Sequence, residues 1–211
     1  MFSGIVEDVG TVVSAVSRGT SKLLGVSTEI PLDEVRIGDS LSVSGVCLSV
    51  TETKKRMFFA EVSEETISRT TLRTVAAGSR VNLERSLSLS GRLDGHLVYG
   101  HIDGTGTVRD VRHAGRSRVF HIRTDPSIMK YLVFKGAVAV DGVSLTVSSV
   151  RPEEFEVTLI PLTLERTTFD RLRPGEAVNV EADIIGKYVL RYLEGQGSGI
   201  SLDFLKKQGY A

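Results

Sequence analysis

Cys47 and Ser144 stand at equivalent places in two similar segments, Gly45-Val-Cys-Leu-Ser-Val50 and Gly142-Val-Ser-Leu-Thr-Val147. In each, a small polar group is followed two residues later by a hydroxyl, Ser49 or Thr146. Alternate positions of a strand share a face. Each segment can therefore offer a matched pair of groups to a heteroaromatic ligand, or use them for cross-strand pairing within a sheet. A lone thiol such as Cys47 otherwise reads as a small buried hydrophobe. Thr66 and Arg69 recur as Thr163 and Arg166, just past the end of a strand, where backbone donors commonly meet a ligand. As structural groups the threonines would cap helices and the arginines would pair with Glu84 and Glu181.

Asp94, His96, His101 and Asp103 are close in sequence, but their spacing matches no zinc pattern and the chain has 1 cysteine, so no metal is expected. His96 and His101 remain as polar binding residues; His113 and His121 fall in what reads as solvated strand surface. Gly104-Thr-Gly106 opens like a dinucleotide fingerprint, yet Arg109 stands where the third glycine belongs and a strand follows. That reading is rejected.

The elements that must position these residues are repeated. Val62-Ser-Glu-Glu-Thr-Ile-Ser-Arg-Thr-Thr-Leu matches Leu159-Ile-Pro-Leu-Thr-Leu-Glu-Arg-Thr-Thr-Phe at an offset of 97. The same offset carries Gly78, Val81, Asn82 and Glu84 onto Gly175, Val178, Asn179 and Glu181. Near the start the offset becomes 96, Gly4 meeting Gly100. Two copies are too few for a solenoid and indicate tandem domains of one fold. In the first copy, short alternating runs at 8–14, 22–29, 39–43, 46–53, 57–62 and 80–85 are rich in Val, Ser and Thr and bounded by turn residues. They predict an all-β, antiparallel fold, a small closed barrel per copy. Short helices are expected at Ser63–Leu72 and after the Asp125-Pro126 cap.

The domains are expected at 1–96, 97–183 and 184–211. In the last, Ile184, Tyr188 and Tyr192 with Ile185, Val189 and Leu193 make one apolar helical face, ending near Gly195. Either the chain's own barrel or another copy covers it. A second short helix is expected from Ser201 to Lys207.

At about 100–200 residues per domain, 211 residues accommodate this plan. Hydrophobic residues at 41% and charged residues at 25% exclude a disordered chain. Lys plus Arg (26) balances Asp plus Glu (26), which leaves no overall field for nucleic acid or an anionic membrane. An internal disulfide is impossible, no signal-peptide pattern opens the chain and no apolar run reaches the ~18–20 residues of a membrane helix. A soluble, cytoplasmic protein is expected.

Met1-Phe-Ser-Gly-Ile-Val, Ser44-Gly-Val-Cys-Leu-Ser-Val50, Gly95-His-Leu-Val-Tyr-Gly-His101, Lys135-Gly136 with Asp141-Gly-Val-Ser-Leu-Thr-Val147, and the Leu159–Thr168 run together resemble the riboflavin synthase family of alpha-chain type, over essentially the whole chain. The resemblance implies two six-stranded Greek-key barrels and a C-terminal helix that assembles a homotrimer. It also implies a dismutation in which two molecules of 6,7-dimethyl-8-ribityllumazine exchange a four-carbon unit, giving riboflavin and 5-amino-6-(D-ribitylamino)uracil. No metal or redox cofactor is implied. The working site would lie between the N-terminal barrel of one subunit and the C-terminal barrel of a neighbour. Gly4, Ile5, Val6, Cys47, Leu48, Ser49, Glu61, Val62, Ser63 and Thr66 would line the first pocket. Gly100, His101, Ile102, Lys135, Ser144, Leu145, Thr146, Leu159, Ile160, Pro161, Leu162, Thr163 and Leu164 would line the second. Acid-base help would come from His101, Ser40, Cys47, Ser144 and Asp183. Ser3, Ser44 and Ser49 depart from the family's usual Thr, Asn and Thr; Ser44 puts one turn or ligand-orienting hydrogen bond in question. The alternative on the same fold is a non-catalytic lumazine carrier.

Overall fold

The computed structural model describes residues 1–195. Strands β1 (Asp8–Arg18), β2 (Ser21–Ser27), β3 (Ser40–Val43), β4 (Val46–Lys54), β5 (Met57–Val62) and β6 (Arg80–Arg85) close an antiparallel barrel in the order β1-β2-β5-β4-β3-β6. Strands β7 (Gly104–Ala114), β8 (Ser117–Thr124), β9 (Ala137–Val140), β10 (Val143–Val150), β11 (Glu154–Leu159) and β12 (Ala177–Ala182) close a second barrel with the same connectivity, the Greek-key-like repeat. β1 runs beyond its expected end because a bulge between Val12 and Ser14 lets it continue as a ribbon with β2. Ser63 caps α1 (Glu64–Arg69), accepting from Thr66 N, and Asp125 caps α2 (Pro126–Met129). Helix α3 (Pro161–Arg166) begins on its proline, and α4 (Ile184–Gly195) follows β12. No helix among the described residues is long and apolar enough to cross a membrane. The helix expected at 201–207 lies outside the described residues.

Strand alternation fills each barrel and leaves a polar row outside. Val46, Leu48 and Val50 are buried in the first core, so Cys47 and Ser49 face outward. Leu145 and Val147 are buried in the second, so Ser144 and Thr146 face outward.

Two reciprocal hairpin turns join the barrels. Ser44 and Asp141 sit at φ 46° and 45°, followed by Gly45 at 82° and Gly142 at 77°. Positive φ at both turn residues is what a tight hairpin needs to follow the twist of its strands. The turns touch backbone to backbone: a Cβ on Gly45 would lie 2.7 Å from Gly142 N, and the converse distance is also 2.7 Å. Around them, Asn82 Nδ2 donates to Asp141 O (2.9 Å) and its Oδ1 accepts from Thr168 N (2.8 Å). Asn179 does the same with Ser44 O and Thr71 N, both at 2.8 Å. Ser44 retains the turn bond its identity put in question, since its Oγ accepts from Asn82 N, but at 3.3 Å against 2.8 Å for Asp141 Oδ1 and Asn179 N.

Burial pushes the Asp141 carboxyl up to about 7, with Glu176 adding to the shift and the Asn179 N–H opposing it. The unfolded chain titrates this group near 3.8. Between those values the folded protein keeps a proton that the unfolded chain releases. Stability from this group is therefore complete below about pH 4 and is lost as pH rises through 7. Asp141→Asn keeps the Oδ1 acceptor and tolerates the positive φ. It should be on the order of 2 kcal/mol more stable than the parent at pH 8, the gap closing toward pH 4 in urea melts. A gap that does not vary with pH would contradict this account.

Two expectations fail. His121 is buried, not solvated: it lies on the outer face of β8 at 3% exposure, covered by Glu156 (3.4 Å) and Glu154 (4.0 Å). Glu84 and Glu181 do not pair with Arg69 and Arg166. Each instead accepts backbone N–H groups from a loop entering the other half of the chain, and Arg69 reaches Glu65 one helical turn away.

Candidate active site

The segments preceding the two barrels cross over. Gly100 O accepts from Cys47 N (2.9 Å) in the first barrel, and Gly4 O accepts from Ser144 N (2.8 Å) in the second. Both glycines sit at φ 76°, and a Cβ on either would come within 2.6 Å of the Cβ of Cys47 or Ser144. Ile102 accordingly packs on the first core and Val6 on the second. The pocket grouping expected from the resemblance therefore changes. Gly100, His101 and Ile102 belong with Cys47 and Thr66, while Gly4, Ile5 and Val6 belong with Ser144, because each chain segment docks on the neighbouring barrel.

The Cys47 wall borders an open pocket of about 250 Å³ whose lining includes Cys47, Thr66, Arg69, His101 and Ile102. Beside it, Ser40 pairs with Ser49 and Ser42 with Cys47 in the β3–β4 register, so all four share the outward face. Ser40 itself opens on a separate concavity of about 570 Å³, shared with Ser3, Glu84 and Arg85. The loop carrying His101 hangs from Glu181, which accepts from Tyr99 N (2.7 Å) and Gly100 N (2.9 Å). Burial raises this carboxyl to about 7 despite those bonds and Lys187.

On the Ser144 wall the polar partner is His96, which the sequence kept as a polar binding residue but the resemblance placed in neither pocket. His96 Nδ1 lies 2.7 Å from Ser144 Oγ. Burial holds this imidazole below its usual range, and the charge of Asp183 pulls the other way. Asp183, whose charge is felt at His96, also accepts from Ile185 N at the start of α4. Glu84 holds the Ser3–Gly4 entry to this wall through Ser3 N (2.7 Å), Ser3 Oγ (2.8 Å) and Gly4 N (3.0 Å). Phe2, fully buried with Val98 and Ala139 and touching Cys47, ties the two entry segments together. The signals for both residues were present, His96 in a His/Asp cluster and Phe2 in the opening motif, but neither shows its contact locally.

The side chains of Leu48, Val62, Leu145, Leu159 and Leu164 are buried in the cores, so a ligand can meet only their backbone. Glu61 is exposed and accepts from Ser21 Oγ (2.7 Å). Lys135, at φ 65°, donates its N–H to Val147 O, and its ammonium lies over Phe134.

Comparison with known proteins agrees with the two-repeat architecture. The lumazine binding domain model matches residues 3–86 and 99–183. A riboflavin synthase of Actinobacillus pleuropneumoniae is 40% identical over 215 residues, with complete coverage of both chains. The chain belongs to the riboflavin synthase family. A Bacillus subtilis (strain 168) member is 38% identical, again over both full lengths. The chain is thus an enzyme of the riboflavin synthase type. Among solved structures, LumP complexed with 6,7-dimethyl-8-(1'-D-ribityl) lumazine superposes with a TM-score of 0.77 at 23% identity, over 86% of this chain and 99% of LumP. That likeness establishes the shared fold.

Within this family fold the two mouths differ. Ser63, Glu64 and Glu65 open the first; Ile160, Pro161 and Leu162 stand at the same positions in the second, with Ile160 and Leu162 more than half exposed. One wall is rimmed by polar and acidic groups, the other by apolar ones.

Proposed function

We propose that this enzyme makes riboflavin by dismutation, one 6,7-dimethyl-8-ribityllumazine on a Cys47 wall and a second on the Ser144 wall of a neighbouring copy. The observation that carries the reading is the pair of equivalent outward walls with unlike acid-base groups: Cys47 and His101 on one, Ser144 and His96 with Ile5 on the other. Identical molecules in unlike surroundings suit a reaction in which one donates a four-carbon unit and its twin accepts it. The outward hydroxyls and backbone groups of β4 and β10 orient the rings. His101, with Cys47 beside it, serves the proton lost from the 7-methyl of one lumazine, whose carbanion the ring delocalises.

Assembly as a cytoplasmic homotrimer through α4 belongs to the same reading. Ile185, Tyr188, Val189, Tyr192 and Leu193 are each more than half exposed, so the chain's own barrel leaves the apolar face bare.

The test is anaerobic incubation of the purified protein with the lumazine as sole substrate, followed by absorbance. Flavin should appear, at one molecule per two lumazines consumed. A stable bound-lumazine spectrum without flavin would support the carrier reading and overturn this one.

A further inference from the structure

The two crossed loops are secured differently. Beyond Glu181, the loop over Cys47 has a second anchor. Asp103 N donates to Val180 O (3.0 Å), and Asp103 Oδ2 accepts from Ala182 N (2.8 Å) and from the Lys187 ammonium (2.7 Å). Lys187 is carried by α4, and both members of this ion pair are about one-fifth exposed. Residues 99–103 are therefore pinned at one end by a buried glutamate and at the other by the C-terminal helix, with Gly100 against Cys47 and His101 lining the same pocket between them. In the first half the position of Asp103 is taken by Glu7, which binds Arg85 N and the Arg85 guanidinium and involves no helix.

We infer that Glu181 and the Lys187–Asp103 pair are positioning groups that seat Gly100 against Cys47 and His101 in the same pocket, so that the docking of α4 sets the geometry of this wall. The inference deepens the proposed reaction and rests on it only for its effect on rate. Carboxylate acceptors for backbone N–H groups are among the stronger hydrogen bonds, and a charged pair one-fifth exposed is only partly screened. Releasing either anchor frees Gly100 from Cys47, whose N–H then loses its acceptor.

Because Cys47 is the only cysteine, its alkylation by iodoacetamide in the full-length protein reports this seating without reference to turnover. Glu181→Gln should speed alkylation about tenfold, the equivalent of one charge-assisted hydrogen bond. Lys187→Met should also speed it, about threefold, with Lys187→Arg near the parent rate. The direction for Lys187→Met is decisive: losing a nearby positive charge disfavours the thiolate and by electrostatics alone would slow the reaction. Glu84→Gln, an equally buried change that loosens the Ser3–Gly4 segment and reaches Cys47 only indirectly, should speed Cys47 alkylation clearly less than Glu181→Gln, with melting temperatures confirming that each variant is folded. Slower alkylation in Lys187→Met, or equal effects of the two glutamate changes, would overturn the inference. Should Glu181→Gln fail to fold, the two Lys187 variants still decide. In the same proteins kcat should fall more than KM rises. If the parent makes no flavin, the proposed reaction fails while the alkylation result still stands.

Discussion

His101→Ala should slow flavin formation by about 10²-fold or more, the usual worth of a positioned acid-base group, while weakening lumazine binding less than about tenfold. The expectation comes from the contrast between the walls. His101 follows Gly100, which is locked onto Cys47, and its counterpart after Gly4 is Ile5, which has no titratable group. Only one wall thus carries an imidazole at this point. In the proposed binding mode the ring is held by the backbone of β4 and α1 and by the hydroxyls of Ser49 and Thr66, none of which the substitution removes. Single-turnover rates measured beside equilibrium titration separate the two effects. Equal losses in rate and affinity would reduce His101 to a contact residue.

Gly45→Ala should cost at least about 4 kcal/mol or prevent folding, the range of backbone clashes in a fixed environment. The new Cβ would meet Gly142 N at 2.7 Å and Gly142 Cα at 3.1 Å, and both belong to a turn that cannot yield without releasing Asn82 and Asn179. Gly78 is the control. Its φ of 91° is as unfavourable for a side chain, yet nothing lies within 4 Å of its would-be Cβ. Gly78→Ala should therefore cost only the conformational penalty, about 1–2 kcal/mol. Comparable losses for the two in chemical denaturation would mean that the barrel contact contributes little. Because Cys47 and Ser144 each lie two residues past these turns, any Gly45→Ala protein that folds should bind lumazine weakly on both walls.

Much of the architecture was legible before any coordinates. The strand runs are recognisable because alternation and turn residues are local, and the side on which Cys47 and Ser49 lie together follows from a two-residue period. Ser63 and Asp125 announced their helices for the same reason. The expected Arg–Glu pairs failed because recurrence at one offset reveals that two residues share a constraint without revealing the partner. Glu84 and Glu181 recur because each holds a crossing loop. His121 was misjudged because charged neighbours on adjacent strands bury it, and those neighbours are distant in sequence.

By itself the amino-acid order determined that this chain is two copies of a six-stranded barrel followed by an amphipathic helix, and which residues face out of each strand. Only the tertiary structure decided which entry loop serves which wall, placing His101 with Cys47 and His96 with Ser144. The physical reason is that this pairing depends on backbone hydrogen bonds between segments about fifty residues apart or more, made possible where Gly4 and Gly100 let two barrels approach. No local propensity encodes such a contact.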